Sequence, residues 1–126
     1  MRIKRHNFRS DYELTVAKKL AEAGIKYEYE TQKFTYQPKP KIYTPDFYLP
    51  EQDIHIECKG FFKPADRQKM LLVIKDNPFL DIRMVFLRAS NKLNRSSKTT
   101  YGAWCDKHGI LWADGMIPLE WLEKKI

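Results

Sequence analysis

A chain of 126 residues, 43% hydrophobic and 13% aromatic, holds enough apolar material for one domain around one core and too little for two. No apolar run approaches the ~18 residues that span a bilayer, and the opening MRIKRHNFRS lacks the apolar stretch of a secretory signal, so membrane-spanning and secreted classes are set aside and a cytoplasmic protein is expected. A formal charge of +7 points to a polyanionic partner, nucleic acid before membrane, because no basic amphipathic helix with a strong apolar face is visible.

The basic residues begin at once: Arg2, Lys4, Arg5 and Arg9 give residues 1–9 the character of an arm without a single acid. SDYELTVAKKLAEAG, residues 10–24, then predicts a first helix, capped by Ser10, ended by Gly24 and striped with Val16, Ala17, Leu20 and Ala21. Glu13 precedes Val16, Ala17 and Leu20 by three, four and seven positions and so shares their inward stripe, where a carboxylate needs a partner. Ser10-x-x-Glu13 is also a capping box, so the spacing admits a capping role and a metal-site role alike. In IKYEYETQKFTY the alternation of Tyr27 and Tyr29 changes parity at Phe34 and Tyr36, which predicts a bulge or break in an extended segment. QPKPK, residues 37–41, follows as a stiff polar connector.

Residues 42–49 and 53–59 read as two strands joined by a turn containing Pro50, Glu51 and Gln52. Matching the apolar residues places Leu49 opposite Ile54 and Phe47 opposite Ile56, and therefore Asp46 opposite Glu57. One face of this ribbon carries Phe47, Leu49, Ile54, Ile56 and Cys58; the other carries Asp46, Tyr48, His55, Glu57 and Lys59. Opposed carboxylates whose Cβ atoms lie ~4.5–5.5 Å apart repel unless something offsets them. A shared divalent cation is one answer, and oxygen donors without thiolate or imidazole favour magnesium or manganese over zinc. Lys59 projects from the same face and could stabilise charge developing on a phosphate. The plainer alternative is a pair of solvated carboxylates with Lys59 in a surface ion pair of small value. His55, a lone strand histidine, is expected at the surface.

A second helix is expected over residues 65–76, with Pro64 in its first turn, Met70, Val73 and Ile74 on one face and Pro78 beyond its end. IRMVFL, residues 82–87, reads as a strand covered on both faces, SNKLNRSSKTT as a basic loop, and residues 100–108 as a third helix stopping at Gly109. ILWA, a turn at Asp114 and Gly115, and a terminal helix around LEWLEKK complete the chain. Between Asp81 and Asp106 there is no acid, while Arg83, Arg88, Lys92, Arg95 and Lys98 all fall inside. The three tryptophans are expected in the core, His6 and His108 outside any catalytic role, and the isolated Cys58 and Cys105 reduced.

TPDF…ECKG, behind a helix bearing Glu13, resembles the PD-(D/E)xK nuclease superfamily. NFRSDYE, GIKYEYE, YTPDFYLP, IECKG, LDIRMVF, YGAWCDKHGI and IPLEW, in that order from about Phe8 to the C-terminus, resemble the phage endonuclease I family of Holliday-junction resolvases. The resemblance implies an α/β fold, a restriction-endonuclease-like mixed β-sheet flanked by helices, with residues 1–126 as a single nuclease domain. It implies an intertwined, domain-swapped homodimer crossing at 37–41, a connector shorter than in relatives, in which each site takes Glu13 from one subunit and Asp46, Glu57 and Lys59 from its partner. Those four residues match the family's catalytic positions. The metal ligands would be Glu13, Asp46, Glu57 and the backbone carbonyl of Cys58, a residue that replaces the expected threonine, and they would hold magnesium or manganese, two ions per site. The implied substrate is branched DNA, especially four-way junctions. Its phosphates would be held without sequence readout by Arg2, Lys4, Arg5, Arg9, Lys63, Arg67, Arg88, Lys92, Arg95 and Lys98. Competing readings are another nuclease of the superfamily (restriction, repair or transposon-end type), an RNA-processing nuclease, and a DNA-binding module with a degenerate site.

Overall fold

The computed structural model describes residues 8–36 and 41–124. Five strands form one mixed sheet in the order β1-β4-β5-β6-β7: β1 (Glu28–Tyr29), β4 (Phe47–Leu49), β5 (Ile54–Lys59), β6 (Ile82–Phe86) and β7 (Trp112–Asp114). The β1/β4 and β4/β5 pairs are antiparallel, and β5/β6 and β6/β7 are parallel. Antiparallel β4 and β5 are joined by a tight turn, whereas the parallel pairs require crossovers, supplied by α2 (Pro64–Asp76) and α3 (Tyr101–Lys107). A separate ribbon pairs β2 (Phe34–Tyr36) with β3 (Lys41–Tyr43), and α1 (Asp11–Glu22) precedes everything. No helix among the described residues is long and apolar enough to cross a membrane.

The alternation of β6 divides the interior. Met84 and Phe86 enter one apolar cluster with Met70 and Val73 of α2 and Trp104 and Cys105 of α3. Val85 enters the other, with Val16, Ala17 and Leu20 of α1 and Phe47, Leu49, Ile54 and Ile56 of the β4/β5 hairpin. The stripe on α1 is fully buried at Val16, Ala17 and Leu20, and each fully buried Val or Leu side chain contributes about 1.5–3 kcal/mol. Trp104 is buried, while Trp112 and Trp121 pack half-buried against the two clusters. Both cysteines are free thiols in the interior.

The hairpin register is the one expected: Phe47 opposite Ile56, Tyr48 opposite His55, Leu49 opposite Ile54. Its first strand differs from expectation. Residues 42–49 are not continuous, because β3 leaves to pair with β2 and β4 starts only at Phe47. Pro45 supplies no ladder donor, and the chain bends across Thr44–Asp46. The expected break after Tyr29 falls at Glu30, which takes the left-handed conformation at φ 53°. The C-terminal helix is only a 3-10 turn, Leu119–Leu122.

A second correction concerns the polar face of the hairpin. It is not a surface: α2 and the β2/β3 ribbon cover it, leaving His55 only 4% and Glu57 only 7% exposed. His55 lies between Tyr48, stacked at 4.6 Å, and the edge-on ring of Phe34 at 5.2 Å. Burial pulls its pKa down, so the ring belongs to the packing.

Candidate active site

The bend at Pro45 determines where Asp46 sits. The Asp46 carbonyl accepts from the Glu30 amide at 3.1 Å, and its Oδ2 accepts from the Cys58 amide at 2.8 Å. In an extended strand the N–H and C=O of one residue point toward the same edge, so the Cys58 carbonyl is directed to the Asp46 side as well. At the N-terminus of α1, Ser10 Oγ accepts from the Glu13 amide at 3.0 Å, the usual N-cap bond. The Glu13 carboxylate does not return to Ser10. Its Oε1 accepts from the Arg9 amide at 2.9 Å and the Tyr29 hydroxyl at 2.8 Å. Only half of the capping box forms, and the carboxylate faces the end of β5.

Glu13, Asp46, Glu57, Cys58 and Lys59 line one cleft of about 420 Å³. Every residue assigned to the catalytic centre from sequence is therefore brought together. The grouping inside the cleft is more particular than a simple Asp46–Glu57 pair. One carboxylate oxygen each from Glu13, Glu30 and Asp46 lie within 4.8 Å of one another. Glu57 stands beside that trio with both oxygens engaged: Tyr43 donates to Oε1 at 2.7 Å, and Lys59 Nζ lies 3.6 Å from Oε2. Lys59 also reaches Asp66 Oδ1 on α2 at 3.5 Å.

The electrostatics follow from burial. Desolvation, then the charge of Glu57 and contact with Glu13, push the Asp46 carboxyl far above its ordinary range, against the opposing pull of the Cys58 amide. Desolvation also raises Glu57, although Lys59, the Tyr43 hydroxyl and Lys69 all favour its ionised form. For Lys59, burial works against the charge, but Glu57 and Asp66 outweigh it and the ammonium is held. Crowded, buried carboxylates with all-oxygen donors and one retained ammonium fit a hard divalent cation.

Tyr43, Asp66 and Lys69 line this cleft, and Glu30 joins its carboxylate trio, without having been singled out from sequence. Asp66 and Lys69 carry the one available signal, an i, i+3 spacing on a helix that follows ECKG directly. Tyr43→Phe leaves Glu57 Oε1 without its donor in a buried position, and denaturant unfolding without divalent ions is expected to show a loss of about 1–3 kcal/mol.

The basic residues fall into three groups. Arg9 is on the rim, its side chain 77% exposed and 3.4 Å from Glu30. Lys63, Arg88, Lys92, Arg95 and Lys98 are exposed, the last four on the loop after β6. Arg67 is half-buried and donates to the Phe62 carbonyl at 2.7 Å, and Arg83 forms a two-pronged pair with Asp81 over the Trp121 ring. Arg2, Lys4 and Arg5, and all of the 37–41 connector except Lys41, lie outside the described residues.

A mixed sheet flanked by helices, gathering PD…ExK carboxylates and lysine beside a helix glutamate, has the layout of restriction-endonuclease-like nucleases. The chain belongs to the phage endonuclease I family, whose sequence model matches residues 1–126, and it is an endonuclease. It is 46% identical over 119 residues to "Endonuclease I" of Escherichia phage T7, covering 93% of this chain and 79% of that protein. It is 47% identical over 114 residues to "Endodeoxyribonuclease 1" of Enterobacteria phage T3, covering 89% and 74%.

Proposed function

We propose that this endonuclease hydrolyses phosphodiester bonds in DNA with a divalent ion, magnesium or manganese, and selects branched DNA, four-way junctions above all. The observation that carries this is the convergence of Glu13, Asp46, Glu57 and Lys59 in one cleft. When bound, such ions stabilise charge on the scissile phosphate and acidify the attacking water. Asp46, Glu57 and Glu13, with the Cys58 carbonyl, are the residues that would hold them. Lys59, kept protonated by Glu57 and Asp66, would offset the negative charge that the scissile phosphate gains in the transition state. Exposed Arg9, Lys63, Arg88, Lys92, Arg95 and Lys98, together with Arg2, Lys4 and Arg5 of the arm, supply phosphate contacts that carry no sequence information. Arg67 has the same role with the donors its Phe62 contact leaves free.

Paired cuts across a junction need two sites at a fixed separation, which a homodimer provides. Exchange of α1, β1 and β2 through residues 37–41 would keep the Arg9 and Tyr29 contacts of Glu13 within its own subunit while setting Glu13 against Asp46 of the neighbouring one. The deciding experiment incubates a labelled four-way junction and its matched linear duplex with the protein under a magnesium and manganese titration. Cleavage of the junction well ahead of the duplex, absent in chelator, is expected. Equal cutting of both substrates refutes junction selectivity, and junction retention without cleavage at any metal concentration refutes the nuclease reading.

A further inference from the structure

Among the cations lining the cleft, Arg9 is paired with Glu30, and Lys59 with Glu57 and Asp66. Lys69 also lines it, one helical turn beyond Asp66 on the same face of α2, yet has no carboxylate within ion-pair distance among the described residues. Its ammonium lies 5.6 Å from the centre of the Tyr43 ring, and the Tyr43 hydroxyl holds Glu57. The lysine is thereby tied through one aromatic side chain to a carboxylate of the reacting centre. A half-buried ammonium lining the cleft carries three N–H donors, and none of them is engaged by a carboxylate among the described residues.

The cleft does not end there. A second groove of about 430 Å³ runs between α2 and the β2/β3 ribbon, lined by Tyr36, Lys41, Gln68 and Leu72, and it shares Asp66 and Lys69 with the first. Because Asp66 is already matched by Lys59, Lys69 at the junction of the two grooves and Lys41 farther along the second are cations without an ion-pair partner among the described residues. A polyanion leaving the acidic centre would meet them in succession.

We propose that Lys69 binds the backbone phosphate adjacent to the scissile one, and that the groove beside α2 carries the continuing backbone of the cleaved strand. This rests on the nuclease reading above. Lys69 is a binding residue here, distinct from Lys59 at the reacting phosphate. It does not read sequence, since an ammonium meets every phosphate alike. Its effect is to set the phosphate register, so that the bond brought to the carboxylates is one nucleotide from an anchored neighbour.

The test compares the parent with Lys69→Met and Lys69→Arg. Junction binding is measured against salt in calcium, and cleavage in magnesium is measured on strands carrying one neutral methylphosphonate at successive positions near the cut. Lys69→Met is expected to lower the slope of log affinity against log salt by about 1, which is about eightfold weaker binding at 0.1 M salt, with Lys69→Arg retaining the parental slope. In the parent, one flanking methylphosphonate slows cleavage; in Lys69→Met that same substitution costs nothing further, while all other positions keep their effects. An unchanged salt slope together with a parental methylphosphonate profile overturns the proposal. So does a Lys69→Met protein that merely unfolds more easily while retaining both signatures, because Lys69 then serves only as a distant counter-charge to Glu57. If the parent cleaves no DNA the nuclease reading fails, while the salt slopes still decide whether Lys69 meets a phosphate.

Discussion

Asp46→Asn is expected to reduce cleavage by a factor on the order of 10³ while making the metal-free protein more stable. The two effects share a cause. Asp46 is held in contact with Glu13 and near Glu57, away from water, by the bend at Pro45 and the Cys58 amide. The amide keeps an acceptor for the Cys58 N–H and removes the like-charge crowding, and it also removes the charge that would attract a divalent ion. A gain of about 1 kcal/mol is the expected size. The pH dependence has a definite sign. A carboxyl whose folded pKa lies above its unfolded value binds its proton more tightly in the native state, so that stability is fully present below the unfolded value of 3.8 and falls as pH rises from there through the folded value. The parent in chelator should therefore weaken between mild acid and neutrality, and Asp46→Asn should flatten that decline. Divalent ions should restore the parent at neutral pH by binding only the folded state, and should do far less for the variant. Urea unfolding at several pH values, alongside single-turnover cleavage, measures all of this; a variant as active as the parent, or one with the parental pH slope, contradicts the assignment of Asp46.

The contrast between what the residue order reveals and what it hides runs through the same cleft. The β4/β5 register was legible because only one alignment buries Phe47, Leu49, Ile54 and Ile56 together, and a one-residue slip would expose them all. The stripe on α1 was legible for the same reason. The interruption at Thr44–Asp46 was not: proline tolerates a strand's first residue, and the departure of β3 depends on a partner, β2, whose pairing is a tertiary choice. The burial of His55 and Glu57 was hidden likewise, since alternation identifies two faces but not which of them another layer will cover. Glu13 was half legible. Spacing placed it inward and offered a cap as explanation, and only the fold shows Arg9 and Tyr29, in place of the Ser10 amide, holding its carboxylate. Tyr43, Asp66 and Lys69 become meaningful once α2 lies across the end of β5, which no local pattern encodes.

Lys59→Met separates the lysine's chemistry from its structural role. On the role proposed for it, loss of the ammonium removes a fixed cation from the phosphate gaining charge in the transition state, and cleavage is expected to drop by about 10²–10³ with DNA binding little changed. The substitution also leaves Glu57 and Asp66, both beside Nζ in the parent, without their shared counter-charge, so the folded state should weaken as well. A drop in activity alone therefore does not distinguish a catalytic lysine from a structural one, and Asp66 provides the means to do so. Adding Asp66→Asn to Lys59→Met removes one of the two stranded carboxylates, and the double variant should recover part of the lost stability and none of the lost rate. Asp66→Asn by itself should keep most of the cleavage, because Glu57 still holds Lys59 protonated, and should move the alkaline limb of the pH–rate profile downward, since one of the charges that raises the Lys59 pKa is gone. If the double variant regains cleavage in step with stability, Lys59 is a structural counter-ion and the reacting phosphate must be neutralised by another group.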